Sequence, residues 1–207
     1  MQETGTRINK YMSQCGYCSR READRLIEKG EVWINGTLAT MGTKVMPGDT
    51  VMVHHTTITP CQKEYLLAFH KPAGIVCTTS KIDKNNVIDY LNFPDRIYPV
   101  GRLDKESTGL LLLTNNGQLM DDILRGSNYH EKEYIVHVNK PITDSVLQAM
   151  AQGVPILDTI TRPCKIRRMG KDCFYITLTQ GLNRQIRRMC EYFDYRVTSL
   201  KRIRIMN

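Results

Sequence analysis

The sequence predicts an α+β protein in two parts. A small helix-rich unit spans residues 1–54, a larger sheet-based unit spans 64–207, and 55–63 is read as the linker. Three observations carry this reading. Apolar residues at helical spacing open the chain, and short alternating runs follow them. A stretch without periodicity, containing Pro60, comes next. Beyond it lies an uninterrupted apolar run, Leu110 to Leu113, closed by Asn115-Asn116-Gly117. That is the pattern of a strand buried on both faces.

Composition bounds the partner. The chain has 207 residues and a net charge of +8, with a pI near 9.2. A polyanion is expected, nucleic acid before an anionic membrane. No stretch approaches the roughly 18 apolar residues of a membrane helix. No signal-peptide pattern precedes the first charged residues. The seven cysteines are odd in number and scattered, which fits reduced thiols and a cytoplasmic location. Cys15-Gly16-Tyr17-Cys18 is a C-x-x-C, but no second close pair accompanies it and structural zinc takes four ligands. No metal site is expected there or at His54-His55. There is no P-loop and no dinucleotide fingerprint.

Taken in order, residues 1–6 are polar and read as frayed. Ile8, Tyr11, Met12 and Cys15 form one helical face, and Gly16 is a C-cap. Ser19-Arg20-Arg21-Glu22 reads as a capping box opening a second helix, with Ala23, Leu26 and Ile27 inward and Gly30 as the stop. Val32 and Ile34 alternate into an Asn35-Gly36 hairpin turn. Val45 to Val53 is strand-like around Pro47-Gly48-Asp49. In the larger unit, Glu64 to Phe69 is a strand, Lys71-Pro72-Ala73-Gly74 a turn, and Arg96 to Val100 a strand. Leu119, Met120, Ile123 and Leu124 give a helical face. His130 to Val138 alternates as a strand, and Thr143 to Gln152 is helical. Thr159 to Arg168 and Phe174 to Thr179 are strands. Ile186, Met189, Cys190 and Phe193 face inward on a last helix, and Arg196 to Ile205 is a basic strand.

The segment Val100 to Gly117 draws most attention. A charged loop with Arg102, Asp104 and Lys105 is mounted directly on the apolar strand, and loops held by rigid scaffolds tend to carry chemistry. Alone, it would read as a solvated turn. But Gly101-Arg102-Leu103-Asp104, followed by Gly109-Leu110-Leu111-Leu112-Leu113-Thr114-Asn115 and Gly117, resembles the catalytic motif of pseudouridine synthases. More narrowly, it resembles the bacterial ribosomal RNA branch with an S4-like N-terminal domain. The resemblance extends to the first unit, through Arg7-Ile8-Asn9-Lys10-Tyr11, Cys18 to Ala23, Leu26 to Gly30, Val32 to Gly36 and Pro47-Gly48-Asp49. It also covers Lys71-Pro72-x-Gly74, Lys132-x-Tyr134-x-Val136 and Gly181 to Met189, where the family more often has Arg at the position of Leu182.

The resemblance implies a small S4-like RNA-binding domain and a synthase domain on a mixed, mainly antiparallel sheet. It implies conversion of uridine to pseudouridine in RNA, without cofactor. Asp104 would be the essential carboxylate, Arg187 its basic partner, and Tyr134 the ring stacked on the target base. A flipped base that regains an aromatic neighbour recovers about 1–3 kcal/mol. RNA contacts are expected from Arg7, Lys10, Arg20, Arg21 and Arg25 in the first unit, and from Arg102, Arg184 and Arg188 in the second. Arg184, Arg187 and Arg188, three and four apart, are read as one broad cationic helix face. His130 to Tyr134 and Gln180 to Glu191 look closest to the large-subunit (23S) ribosomal RNA members, and a structured transfer RNA stays open as a second substrate. A monomer is expected. Relatives continue past residue 207 with further strands and a basic tail, so the chain reads as C-terminally truncated. Two other classes stay open from the residues alone. One is a non-catalytic RNA-binding protein. The other is a carboxylate hydrolase, which would need a second acid or a metal near Asp104, where only Glu106 lies.

Arg20 and Arg21 stand in a helix's first turn, where the macrodipole disfavours cations; a phosphate partner would resolve that misfit. Replacing both by Ala is expected to weaken RNA binding and to lower the salt slope of log Kd by about 1–2. An unchanged slope in a salt titration would remove this helix from the RNA contact.

Overall fold

The computed structural model describes residues 5–61, 63–80 and 82–206. The start of the expected frayed segment and the last residue lie outside them. The chain divides into two compact units, Met1–Tyr65 with Asn115–Gly117, and Leu66–Thr114 with Gln118–Asn207.

The first unit runs β1 (Thr6–Arg7), α1 (Ile8–Gln14), α2 (Arg20–Glu28), β2 (Val32–Ile34), β3 (Thr37–Leu38), β4 (Lys44–Val45), β5 (Val51–Val53) and β6 (Thr56–Ile58). Ile8 and Met12 of α1 meet Ala23, Leu26 and Ile27 of α2 in one core with Val32, Val51 and Val53. Ser19 caps α2, its hydroxyl accepting from Glu22 N at 3.1 Å. The carboxylate of Glu22 pairs with Arg25 at 3.0 Å. Asn35 and Gly36, at φ 48° and 78°, turn β2 into β3 as the Asn-Gly pair predicts. The four-stranded sheet has the order β3-β2-β5-β6.

The linker expected over 55–63 is corrected here. Residues 56–58 pair antiparallel with β5, and Ile58 is buried in the first core. The turn is made by His54 and His55, both left-handed at φ 46° and 64°. Histidine tolerates that region without advertising it as Asn-Gly does, so the hairpin carried no turn signal. The unit then extends to Tyr65, whose N donates to Asn115 Oδ1 at 2.9 Å, while Asn115 Nδ2 donates to Lys63 O at 2.7 Å.

The second unit runs β7 (Leu66–Lys71), α3 (Val87–Leu91), β8 (Tyr98–Val100), β9 (Thr108–Thr114), α4 (Gly117–Leu124), β10 (Lys132–Val138), α5 (Asp144–Gln152), β11 (Pro155–Ile156), β12 (Thr159–Ile160), β13 (Lys165–Arg168), β14 (Cys173–Leu178), α6 (Gln185–Tyr192) and β15 (Val197–Ile205). Among the described residues seven strands form one sheet, β13-β14-β10-β15-β9-β7, with β8 also on β9. The sheet is mixed and mainly antiparallel, as the expected α+β class requires. The single strand expected over Thr159 to Arg168 is two, β12 and β13. Pro163 between them has no N–H for a ladder, and buried Thr161 turns its hydroxyl to accept from Val154 N at 2.9 Å.

Val136, Phe174, Ile176 and Leu200 on the inward sheet face pack against Leu147 and Met150 of α5 and Ile186, Met189 and Cys190 of α6. Each large apolar side chain buried there contributes about 1.5–3 kcal/mol. On β9, Leu111 and Leu113 are fully buried, while Leu110 and Leu112 pack with Val100, Ile205 and Ile123 of α4.

Among the named strands of the described residues, the one parallel pairing joins β9 to β15, at Thr108↔Lys201 and Gly109↔Arg202. It dictates a glycine. Gly109 has φ 99°, and a Cβ there would overlap the carbonyl oxygen of Arg202. Gly109→Ala is therefore expected to cost about 3 kcal/mol or more. Gly74→Ala, at φ 86° with nothing within 4 Å, should cost only about 1 kcal/mol. Equal shifts in urea unfolding midpoints would contradict the close approach.

Candidate active site

The loop between β8 and β9 is held from several directions. Gly101, at φ 76°, turns the chain out of β8. Leu103 is buried and anchors the loop. Ser107 N donates to Asp104 O at 3.0 Å, closing the turn that presents the Asp104 side chain. Below it, Lys105 O accepts from Gly74 N at 2.9 Å and from Lys71 Nζ at 3.0 Å. Lys71 Nζ also donates to Pro72 O at 2.7 Å. Lys71 is fully buried. Burial pushes its ammonium below the usual lysine range, while the neighbouring Cys77, Glu106 and Asp104 oppose that shift. Lys71 to Gly74 is thus the support beneath the charged loop.

The opposing group comes from α6. Arg187 Nε lies 3.5 Å from Asp104 Oδ2, and the two side chains are 12% and 32% exposed. Nε makes no hydrogen bond, so this contact is an ion pair without a shared proton at this distance. Arg187 Nη2 donates weakly to Ser107 Oγ and Nη1 to Val197 O, each at 3.4 Å. The guanidinium therefore bridges the Asp104 loop and the start of β15. In a half-buried setting such a pair is screened less than a surface one.

The expected shared cationic face of Arg184, Arg187 and Arg188 does not form. The helix starts at Gln185, so Arg184 is its N-cap with φ 50° and lies outside the helical register. Buried Gln185 folds back, its Oε1 accepting from Leu182 N at 3.0 Å. Arg187 turns inward, and Arg188 Nε donates to Asn183 O at 3.1 Å.

These elements frame a cleft of about 510 Å³ lined by Arg102, Asp104, Lys132, Tyr134, Arg184 and Arg202, with Val100, Leu103, Leu182 and Ile205 as apolar wall. A smaller extension of about 120 Å³ shares Asp104 and Tyr134 and reaches Ser107 and Gln185. The size suits a nucleoside-like group. Tyr134 stands on β10 between Ile176 of β14 and Arg202 of β15. Of the residues singled out from sequence, Asp104, Tyr134, Arg102 and Arg184 meet in the cleft, and Arg187 reaches Asp104. Arg188 is not among the lining residues. In the first unit Arg7, Arg20, Arg21 and Arg25 are exposed and Lys10 is half-buried; Arg25 is engaged by Glu22.

Sequence reasoning missed Ser107 and Arg202 and gave Lys132 no site role. Arg202 had a usable signal: it lies two residues after apolar Leu200 in a strand, which puts a cation on the buried face. Among the described residues, no group of three or more metal-ligating side chains comes together, and no helix is long and apolar enough to cross a membrane.

A carboxylate paired with an inward arginine, beside an aromatic ring in a basic cleft, is an arrangement suited to chemistry on a planar ring attached to a polyanion. Comparison with known proteins makes this specific. Residues 65–192 match the RNA pseudouridylate synthase family and residues 6–51 the S4 domain. The chain belongs to the RNA pseudouridylate synthase family and is a pseudouridine synthase acting on RNA. It is 55% identical over 207 residues to the dual-specificity RNA pseudouridine synthase RluF of Salmonella typhi, covering 99% of this chain and 72% of that protein. To RluF of Escherichia coli (strain K12) it is 53% identical, covering 99% and 71%. It is 33% identical over 206 residues to ribosomal large subunit pseudouridine synthase B of Bacillus subtilis (strain 168), covering 95% and 84%. A crystal structure of a pseudouridylate synthase superposes with a TM-score of 0.68 at 26% identity, covering 96% of this chain and 88% of that one.

Proposed function

We propose that this enzyme isomerises a flipped-out uridine of large-subunit (23S) ribosomal RNA through Asp104, and that a structured transfer RNA is its second substrate. The carrying observation is the 3.5 Å pair of Asp104 and Arg187 facing the cleft that also holds Tyr134. The N1–C1′ bond breaks, the base turns over, and C5 bonds to C1′. N1 gains the proton that C5 gives up, so nothing is oxidised and no group is lost. One carboxylate suffices as nucleophile or base. Arg187 aims it, and Tyr134 stacks on the uracil, replacing the stacking lost on leaving the helix. The exposed arginines of the first unit and Arg102 and Arg184 at the cleft supply phosphate contacts. The ribosomal assignment is supported by the large-subunit name of the Bacillus subtilis relative. The second substrate is supported by the dual-specificity name of the relatives above 50% identity. A cytoplasmic monomer fits this role.

The test is pseudouridine mapping of ribosomal and transfer RNA treated with wild-type protein or Asp104→Asn, which removes the charge with little change of shape. Pseudouridine at a large-subunit site with wild type only, and RNA binding kept in the variant, is expected. Substantial turnover by Asp104→Asn would sink the carboxylate assignment. Product confined to other RNA would sink the substrate assignment.

A further inference from the structure

Two cations in the cleft wall have no part in the chemistry described so far. Arg202 on β15 stands opposite Tyr134 on β10, and opposed strand residues project from the same face. Arg202 is only 3% exposed. Its Nε donates to Leu110 O at 2.6 Å, but its buried Nη2 has no hydrogen-bond partner among the described residues. Lys132 lies two residues before Tyr134 on β10, hence on that face too, and it also lines the cleft. Burial and then the charge of Arg202 push its ammonium below the usual lysine range. Among the described residues neither cation has a carboxylate partner, whereas Asp104 has Arg187. A buried guanidinium nitrogen without an acceptor is costly, and two like charges in one wall add to that cost. Lys132 Nζ donates to His130 O at 3.3 Å, so both cations rest on backbone carbonyls and neither has a countercharge among the described residues.

Uridine is neutral, but the base does not stay neutral during the reaction. If the Asp104 carboxylate attacks C1′, the N1–C1′ electron pair leaves with uracil and a ribosyl ester forms. If it removes the C2′ proton, the same pair leaves with uracil, a glycal forms, and Asp104 holds the proton. If it adds to C6, the C5–C6 π pair moves toward C5 and O4. Each route puts negative charge on the uracil ring and its O2 or O4. The charge disappears once C5 has bonded to C1′ and lost its proton while N1 has gained one.

We propose that Lys132 and Arg202 are a charge-stabilising pair for the uracil anion, catalytic residues of the isomerisation that take its ring oxygens beside Tyr134. The proposal rests on the synthase reading. It assigns the pair to the transition state and the anion rather than to the neutral substrate. Its signature is therefore in rate, not affinity.

The test is single-turnover conversion of two RNA substrates that differ only at the target, uridine or 5-fluorouridine, followed by separation of the rearranged nucleoside. Fluorine at C5 withdraws electrons and stabilises the uracil anion by itself, so that substrate depends less on cations in the protein. Arg202→Gln and Lys132→Gln are each expected to slow uridine conversion by about 100-fold or more. RNA affinity should change less than about twofold, and 5-fluorouridine should be slowed several-fold less than uridine. If Arg202→Gln does not fold, Lys132→Gln, at a half-buried position, carries the same comparison. Equal slowing of both substrates would mark the cations as structural and overturn the proposal. So would unchanged uridine rates, or a loss confined to RNA affinity. Wild-type protein that makes no pseudouridine would refute the proposed function instead.

Discussion

Asp104 and Arg187 meet at 3.5 Å although one is on the loop entering β9 and the other is on α6, just before β15. Their meeting depends on the parallel contact of β9 with β15, where the backbone of Gly109 lies on that of Arg202. That contact requires a residue without Cβ. It brings the charged loop beside the helix that packs on the same sheet. Without it, Arg187 would be a buried cation with no carboxylate, and the loop a charged turn in water. The ion pair, the junction and the lysine beneath the loop form one assembly. Lys71 fixes the height of the loop, Gly109 its lateral position, and Arg187 the direction of its carboxylate.

The electrostatics follow from that assembly. The cleft holds one carboxylate and several cations, and part of its wall is buried charge. Such a site is poorly suited to a neutral resident and well suited to charge that arises and vanishes during a reaction. The first unit has the opposite design. Its arginines are on the surface of a short helix pair, where they can meet phosphates without desolvation beforehand.

Much of this was legible in the sequence where local rules apply. The apolar faces of α1 and α2, the Ser19 cap, the Asn35-Gly36 turn and the buried run of β9 follow from periodicity and turn chemistry. Asp104 was found because its loop stands on that run and because its motif resembles a family. What stayed hidden depends on distant pairing. The strand of residues 56–58 was masked by a left-handed His54-His55 turn. The helix start at Gln185, which separates Arg184 from Arg187, depends on a glutamine folding back on Leu182. The register that sets Arg202 against both Tyr134 and Gly109 has no local signal, because β10, β9 and β15 are far apart in the chain.

Arg187 is expected to hold Asp104 in its working position. Single-turnover pseudouridine formation by Arg187→Met, which keeps an apolar stem and removes the charge, tests this directly. The rate should fall by about 100-fold or more, about 2.7 kcal/mol in the barrier, with RNA affinity and cooperative unfolding retained. A rate within about threefold of wild type, which is less than about 1 kcal/mol, would mean that Asp104 acts without the pair.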